Sequence, residues 1–498
     1  MALAIGLVVA VGAVLGGTLL AMRGTRMDVQ EWSVGGRRFG TWLFWFLLVG
    51  ETFTTFALLG ASQGVFSTGA AGFYVLGTVV LTASVGYFLV PRIWRAGKDR
   101  GFVTMGDFFA ARFDAPWFGA LLTVFGIIAL LLYSRVQLTG LALILATLFG
   151  LDVPAIVYVS AGGLVVALFV LVGGMRSAAF VAVVKDILLV AMLLVVAAGA
   201  ATAAGVGSIG EVFDGVRAAH PDAATLPGIG GGTATNQWWW MSFLLLTPLG
   251  AFALPHAFQV CFSAKDIRTI RKNQIIQPLY SLFYVLIIII AMAALLAMPG
   301  LPAADANGSL LVFVREYYPD WVIGLLAGTG VLVALVPTAV LMLTASSMFT
   351  SNVLGLARPD LKSSLGATRV GVVAFTVVAV LFTAFRSDTL LTIMTGVYSA
   401  VGQLAPALFL SMLWRRVTAV GLTVGAVVGG LIVAVPQLGA PAQALFPAGT
   451  VVGLPALVVN LVLAVVVSLL TTPPSADAVA VGLGPDAVPA RRPAPSAQ

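Results

Sequence analysis

Apolar residues in this chain come in long runs separated by short polar stretches, and the period-two alternation of a membrane β-barrel is absent. A helix needs about twenty apolar residues to cross the hydrocarbon core, and on that window the sequence predicts about thirteen spans. They fall near 2–22, 41–66, 71–91, 117–148, 153–172, 179–201, 238–260, 276–298, 321–348, 368–386, 390–413, 418–438 and 451–471. The span near 117–148 is too long for an upright helix and is expected to tilt or run past the bilayer. The first run, 2–22, lacks a basic leader and a polar cleavage zone, so it is expected to stay as a span and not be removed as a signal peptide. Only helices or closed barrels satisfy their backbone in lipid, so the predicted fold class is an all-α polytopic membrane protein.

Composition agrees. Of 498 residues 60% are hydrophobic and 9% charged, with a mean hydropathy of +1.07, whereas a soluble domain carries about a quarter charged residues. The net charge of +7 does not point to nucleic acid, because the basic residues sit at helix ends. With the N-terminus outside, one face collects Arg37, Arg38, Arg92, Arg95, Lys265 and Arg268 among many others. The opposite loops hold only Arg217, Arg315 and Arg386. An odd span count then puts the C-terminus inside a bacterial-type plasma (inner) membrane. A single cysteine, Cys261, excludes an internal disulfide framework and a Cys-rich metal site. The tail from Pro473 to Gln498, rich in Pro, Ala and Ser, is expected to be disordered, with no room for a catalytic or signalling domain.

The candidate chemistry lies at interruptions of the spans. Gly50, Glu51, Thr52, Thr54 and Thr55 interrupt the second span, and helix geometry puts Glu51 roughly 14 Å from the interfacial Trp42. A carboxylate at that depth is costly and so points to function, and an unwound segment there exposes carbonyls that can hold a cation. The seventh span is interrupted by Pro248, Gly250 and Pro255. Paired breaks mark the site in transporters built from inverted repeats, and breaks five spans apart fit two five-helix repeats. The expected division is a first helix and loop at 1–40, repeats at 41–201 and 202–413, two peripheral helices at 414–471 and the tail at 472–498.

Several separated motifs carry a resemblance. GGRRFGTWLFWFLLVGETFTTFALLG and LVGGMRSAAFVAVVKDILL resemble the GGR loop, broken second helix and GG-(L/M)-R-A turn of the solute:sodium symporter family. VVKDILL, ALPHAFQVCFSAKDIRTIRKNQIIQPLYS and ALVPTAVLMLTASSMFTSNV resemble motifs of its bacterial monocarboxylate permease branch. The resemblance, from about Gly35 to about Val417, implies a leucine-transporter-like inverted-repeat fold and secondary active uptake of a small organic solute. It also implies a sodium site made by carbonyls of Gly50 and Phe53 and by ninth-span hydroxyls. Here Val336 and Pro337 stand at the hydroxyl positions with Thr338 beside them. The coupling cation is therefore sodium by family, or a proton on Glu51.

Arg135 is a bidentate donor suited to a substrate carboxylate or to pairing with Glu51. Gln137 matches a family Q-L pair, His256 has the chemistry for proton transfer, and one of the clustered threonines is expected to line the site. Lys185 and Asp186 are placed near an inner interface, making local contacts. The reading is thus a symporter of a small organic solute, in expectation a short-chain monocarboxylate. The site is drawn from Glu51, Thr52, Thr54, Thr55, Arg135, Gln137, Pro248, Gly250 and His256, with Gly50, Phe53 and Thr338 for sodium. A symporter of another solute class is the first alternative, and a sensor or channel the second. No enzyme motif, other cofactor, nucleic-acid partner or obligatory protein partner is expected.

Overall fold

The computed structural model describes residues 1–483 except 24–27, 151–152, 231, 233 and 386–387; Arg386 and the tail from 484 lie outside the described residues. Among the described residues the regular structure is helical, apart from one isolated bridge between Phe39 and Ala264. Nine helices among the described residues are long and apolar enough to cross a membrane, or eleven when each of two bent pairs counts as one span. Two of the nine, Phe56–Arg100 with 45 residues and Ala155–Ala203 with 49, are twice what a bilayer needs. Each contains a turn, at Gly69–Phe73 in the first and at Gly174 in the second. Splitting both, and joining the short apolar helix Thr41–Gly50 to the start of the first, brings eleven to the expected thirteen.

The centre of the bundle is helix Asp320–Met348, whose apolar window is 94% buried. It packs against Ala2–Met22, Pro116–Phe149 and Ala155–Ala203. The first contact is backbone against backbone, since a Cβ on Gly328 would lie 2.7 Å from the Gly6 carbonyl oxygen. Small residues allow such approaches where no hydrophobic effect drives helices together.

One membrane face is fastened by Glu31, whose carboxylate is almost fully buried and takes Arg38 at 2.6 Å and Arg176 at 3.2 Å. Arg176 follows the reversal at Gly174, where φ is 58° and ψ −159°. This reversal decides how deep the rest of that helix sits. Lys185 comes eleven residues later, roughly 16 Å of rise up the helix and hence near mid-membrane. The interfacial placement expected for Lys185 and Asp186 is thereby corrected: both are buried, at 0% and 2% exposure.

The tail also departs from expectation. Ala476–Leu483 forms a helix that packs on Met105–Phe113, with Ala478, Val479 and Val481 buried. Its apolar positions give it a face to bury beside Arg112, which donates to the Ser411 carbonyl at 2.9 Å.

Gly174→Ala is expected to lower the unfolding midpoint of the purified protein in detergent. The new Cβ would meet the Trp32 ring at 2.7 Å and its carbonyl oxygen at 2.8 Å, in a backbone region that costs roughly 1–3 kcal/mol for a non-glycine residue. Gly12→Ala, whose Cβ meets open space, should leave the midpoint unchanged.

Candidate functional site

The second span stops at Gly50. Its last helical bonds are Glu51 N to Leu47 O at 3.0 Å and Phe53 N to Val49 O at 2.8 Å, and helix resumes after Thr54. The glycine and the three threonines favour this gap because hydroxyls compete with the helix for backbone groups. Thr54 Oγ1 accepts from Phe56 N–H at 3.2 Å. Thr55 gives both its N–H, at 3.2 Å, and its hydroxyl, at 2.7 Å, to the side-chain oxygen of Gln137. Thr52 turns its hydroxyl back to the Leu48 carbonyl at 3.2 Å.

Two carbonyls at the gap are met by Lys185. Its Nζ donates to Gly50 O and to Phe53 O, each at 3.0 Å, and lies 2.9 Å from Asp186 Oδ1. The sequence reading did not include Lys185 in the site. The available signal was a lysine inside the apolar run VAVVKDILLV, masked by its acidic neighbour. Lys185 and Asp186 therefore join Glu51 and Arg135 as buried ionisable groups within the spans.

The seventh span breaks as expected, between Gln237–Ala251 and Pro255–Ser263, with a bend of 50°. The helix runs through Pro248 and opens only at 252–254. Pro248 and Gly250 therefore do not line the cavity between the breaks; a Cβ on Gly250 would face Tyr398 and Val401.

That cavity measures about 140 Å³ and is lined by Glu51, Thr52, Thr54 and His256, with Tyr74, Tyr133, Tyr284 and Tyr398 forming an aromatic wall. The Glu51 side chain is 7% exposed, and its carboxylate oxygens have no hydrogen-bond partner among the described residues. The nearest cationic candidate is His256, with Nε2 3.7 Å from Glu51 Oε2, too far for a hydrogen bond. His256 opens the second half-helix after Pro255 and lies against the Tyr133 ring, centroids 5.7 Å apart.

Arg135 points elsewhere. It is 6% exposed and donates to Asp388 Oδ2 at 2.6 Å, so the pairing with Glu51 is not formed. Asp388 itself is 43% exposed. Thr338 is fully buried in the central helix and spends its hydroxyl on the Ala334 carbonyl at 2.5 Å.

Residues 32–429 match the family model described as the sodium:solute symporter family. An uncharacterized symporter of Bacillus subtilis, YhjB, is 33% identical over 91% of this chain and 93% of its own. A monocarboxylate transport permease protein of Rhizobium johnstonii is 30% identical over 81% of this chain and 82% of its own. Among solved structures, a sodium-coupled sialic acid symporter in a substrate-bound outward-open state aligns with a TM-score of 0.77 at 15% identity, covering 95% of this chain and 98% of that one. Mhp1, a nucleobase-cation-symport-1 transporter in a closed conformation, aligns at 0.58 and 15%, covering 91% and 97%. The fold is the leucine-transporter-like inverted-repeat architecture that the paired breaks suggested.

Gln137 acts as a buttress for the second-span break. Gln137→Leu is expected to leave the Thr55 N–H without its acceptor, at roughly 1–3 kcal/mol for a buried unsatisfied group, while the hydroxyl keeps the Val136 carbonyl at 3.3 Å. A thermal midpoint in detergent below that of wild type checks this; an unchanged midpoint would mean that the break is held by other contacts.

Proposed function

The chain belongs to the sodium:solute symporter family and is a multi-pass secondary transporter, and from that premise we propose that its solute is a short-chain monocarboxylate bound between the two broken helices. The observation carrying this reading is the small cavity that brings Glu51, His256 and the threonine hydroxyls together. At about 140 Å³ it resembles the cavity of about 150 Å³ that accommodates benzene, which is the size of a two- to four-carbon acid. The half-helix beginning at Pro255 presents the positive end of its dipole there, as discontinuous helices do toward anionic solutes. The name of the Rhizobium relative supports the same class.

Glu51 supplies a physical reason for symport. A second carboxylate beside it raises the cost of both charges in a low-dielectric site, so the solute enters favourably only with positive charge at the same locus. Cation and solute then raise one another's affinity by the same factor. The threonine-rich gap and Glu51 form the solute-facing surface, whereas Gly50 and Phe53 belong to the cation side. We read the face carrying Glu31, Arg38, Arg176 and Lys265 as cytoplasmic, with repeats over 41–201 and 202–413 rocking about the cavity. Arg135 and Asp388 would then close the outer end and not hold the solute.

Purified protein in liposomes is expected to exchange radiolabelled propionate, lactate or pyruvate in counterflow and to accumulate it under an imposed cation gradient. Glu51→Gln is expected to reduce accumulation at least tenfold. Absence of exchange for every acid would overturn the substrate class, and wild-type accumulation by Glu51→Gln would remove Glu51 from the coupling.

A further inference from the structure

The cavity between the two breaks holds more unused hydrogen-bond acceptors than a plain carboxylic acid can serve. Both Glu51 carboxylate oxygens and the Gln277 side-chain oxygen are buried without a donor among the described residues, and both residues line the cavity. Gln277 opens the turn Gln277–Tyr280 ahead of helix Ser281–Ala297. Its amide nitrogen reaches the hydroxyl of Thr52, the residue after Glu51, at 3.5 Å. The basic neighbours do not serve these oxygens. Lys185 spends its donors on Gly50 O, Phe53 O and Asp186, and His256 Nε2 stops 3.7 Å from Glu51.

A carboxylate alone brings only more acceptors to this corner, and buried acceptors left unpaired are costly. The complementary group is an ammonium, which has three donors and no acceptor. The wall suits it as well, because tyrosine ring faces attract an ammonium that leaves water, and Tyr74, Tyr133, Tyr284 and Tyr398 line the cavity. Groups for a carboxylate lie close by. The half-helix Pro255–Ser263 turns the positive end of its dipole to the cavity. His256 Nδ1, a donor in one neutral tautomer, and the Tyr74 hydroxyl are both buried without a partner among the described residues. Since His256 and Glu51 are 3.7 Å apart, the two ends of the site adjoin. A solute that uses both must carry its ammonium and its carboxylate on one carbon.

We propose that the solute of this cavity is a small zwitterionic 2-amino acid, its ammonium held by Glu51 and Gln277 and its carboxylate at the His256 half-helix. This rests on the monocarboxylate reading above and deepens it, for such a solute is a short-chain monocarboxylate that brings its own positive charge to Glu51. The repulsion between the two carboxylates is thereby offset within the solute. Alanine matches benzene in its number of non-hydrogen atoms, in keeping with a cavity of about 140 Å³.

Alanine, lactate and propionate differ only at carbon 2, in an ammonium, a hydroxyl or a hydrogen, so they isolate the group in question. In liposomes containing the purified protein, the half-saturating concentration for counterflow of radiolabelled alanine is expected to be at least tenfold below that of propionate, with lactate between. An excess of 4-aminobutyrate, whose charges lie far apart, should not compete. Counterflow needs no gradient, so the series reads recognition apart from coupling. In Glu51→Gln the preference for alanine over propionate should disappear, and in Gln277→Leu it should fall severalfold. Equal half-saturation by alanine and propionate in wild type would overturn the inference and leave the monocarboxylate reading standing. Competition by 4-aminobutyrate as strong as by alanine, or an alanine preference kept by Glu51→Gln, would overturn it too. If Glu51→Gln does not fold, the wild-type series and Gln277→Leu still decide. Exchange of none of the three acids would bring down the monocarboxylate reading and this inference with it, an outcome distinct from loss of the alanine preference alone.

Discussion

A helix that unwinds at mid-membrane strands backbone groups where lipid can offer no partner, and each unsatisfied group costs several kcal/mol. That constraint governs this molecule. The gap after Gly50 exists because its polar groups are met one by one: Gly50 O and Phe53 O by Lys185, Thr55 N–H by Gln137, and Phe56 N–H by the Thr54 hydroxyl. Lys185 arrives at the right height only because the chain reverses at Gly174, with Arg176 held on Glu31 at the membrane face. A loop contact at one surface therefore sets the register of an ammonium half a bilayer away.

The same locus is electrostatically unbalanced. Lys185 Nζ lies 2.9 Å from Asp186, but Glu51 has only the His256 imidazole at 3.7 Å, and its oxygens have no donor among the described residues. Buried ion pairs add little stability against apolar packing of equal volume, so their presence argues for use. Glu51 faces the cavity and the Lys185 ammonium faces the carbonyls. The cavity and the ammonium thus lie on different sides of one short gap, so a change on one side reaches the other without a long relay.

Much of this was legible in the sequence for physical reasons. Long apolar runs count spans, and a run of Gly, Glu and Thr inside one marks a break, so the thirteen spans, Glu51 and the pairing of the second and seventh helices could all be read. The seventh-span break falls inside the expected stretch from Pro248 to Pro255, but the helix tolerates the hydrogen bond lost at Pro248 and opens only at 252–254, before Pro255. Lys185 was misplaced for a different reason. Hydropathy set the start of its span near 179, but the turn lies at Gly174, and the missing turn and a half of helix converts an interfacial lysine into a central one. The partner of Arg135 was out of reach altogether: Asp388 is 253 positions away, in a connection that only the packed bundle brings alongside.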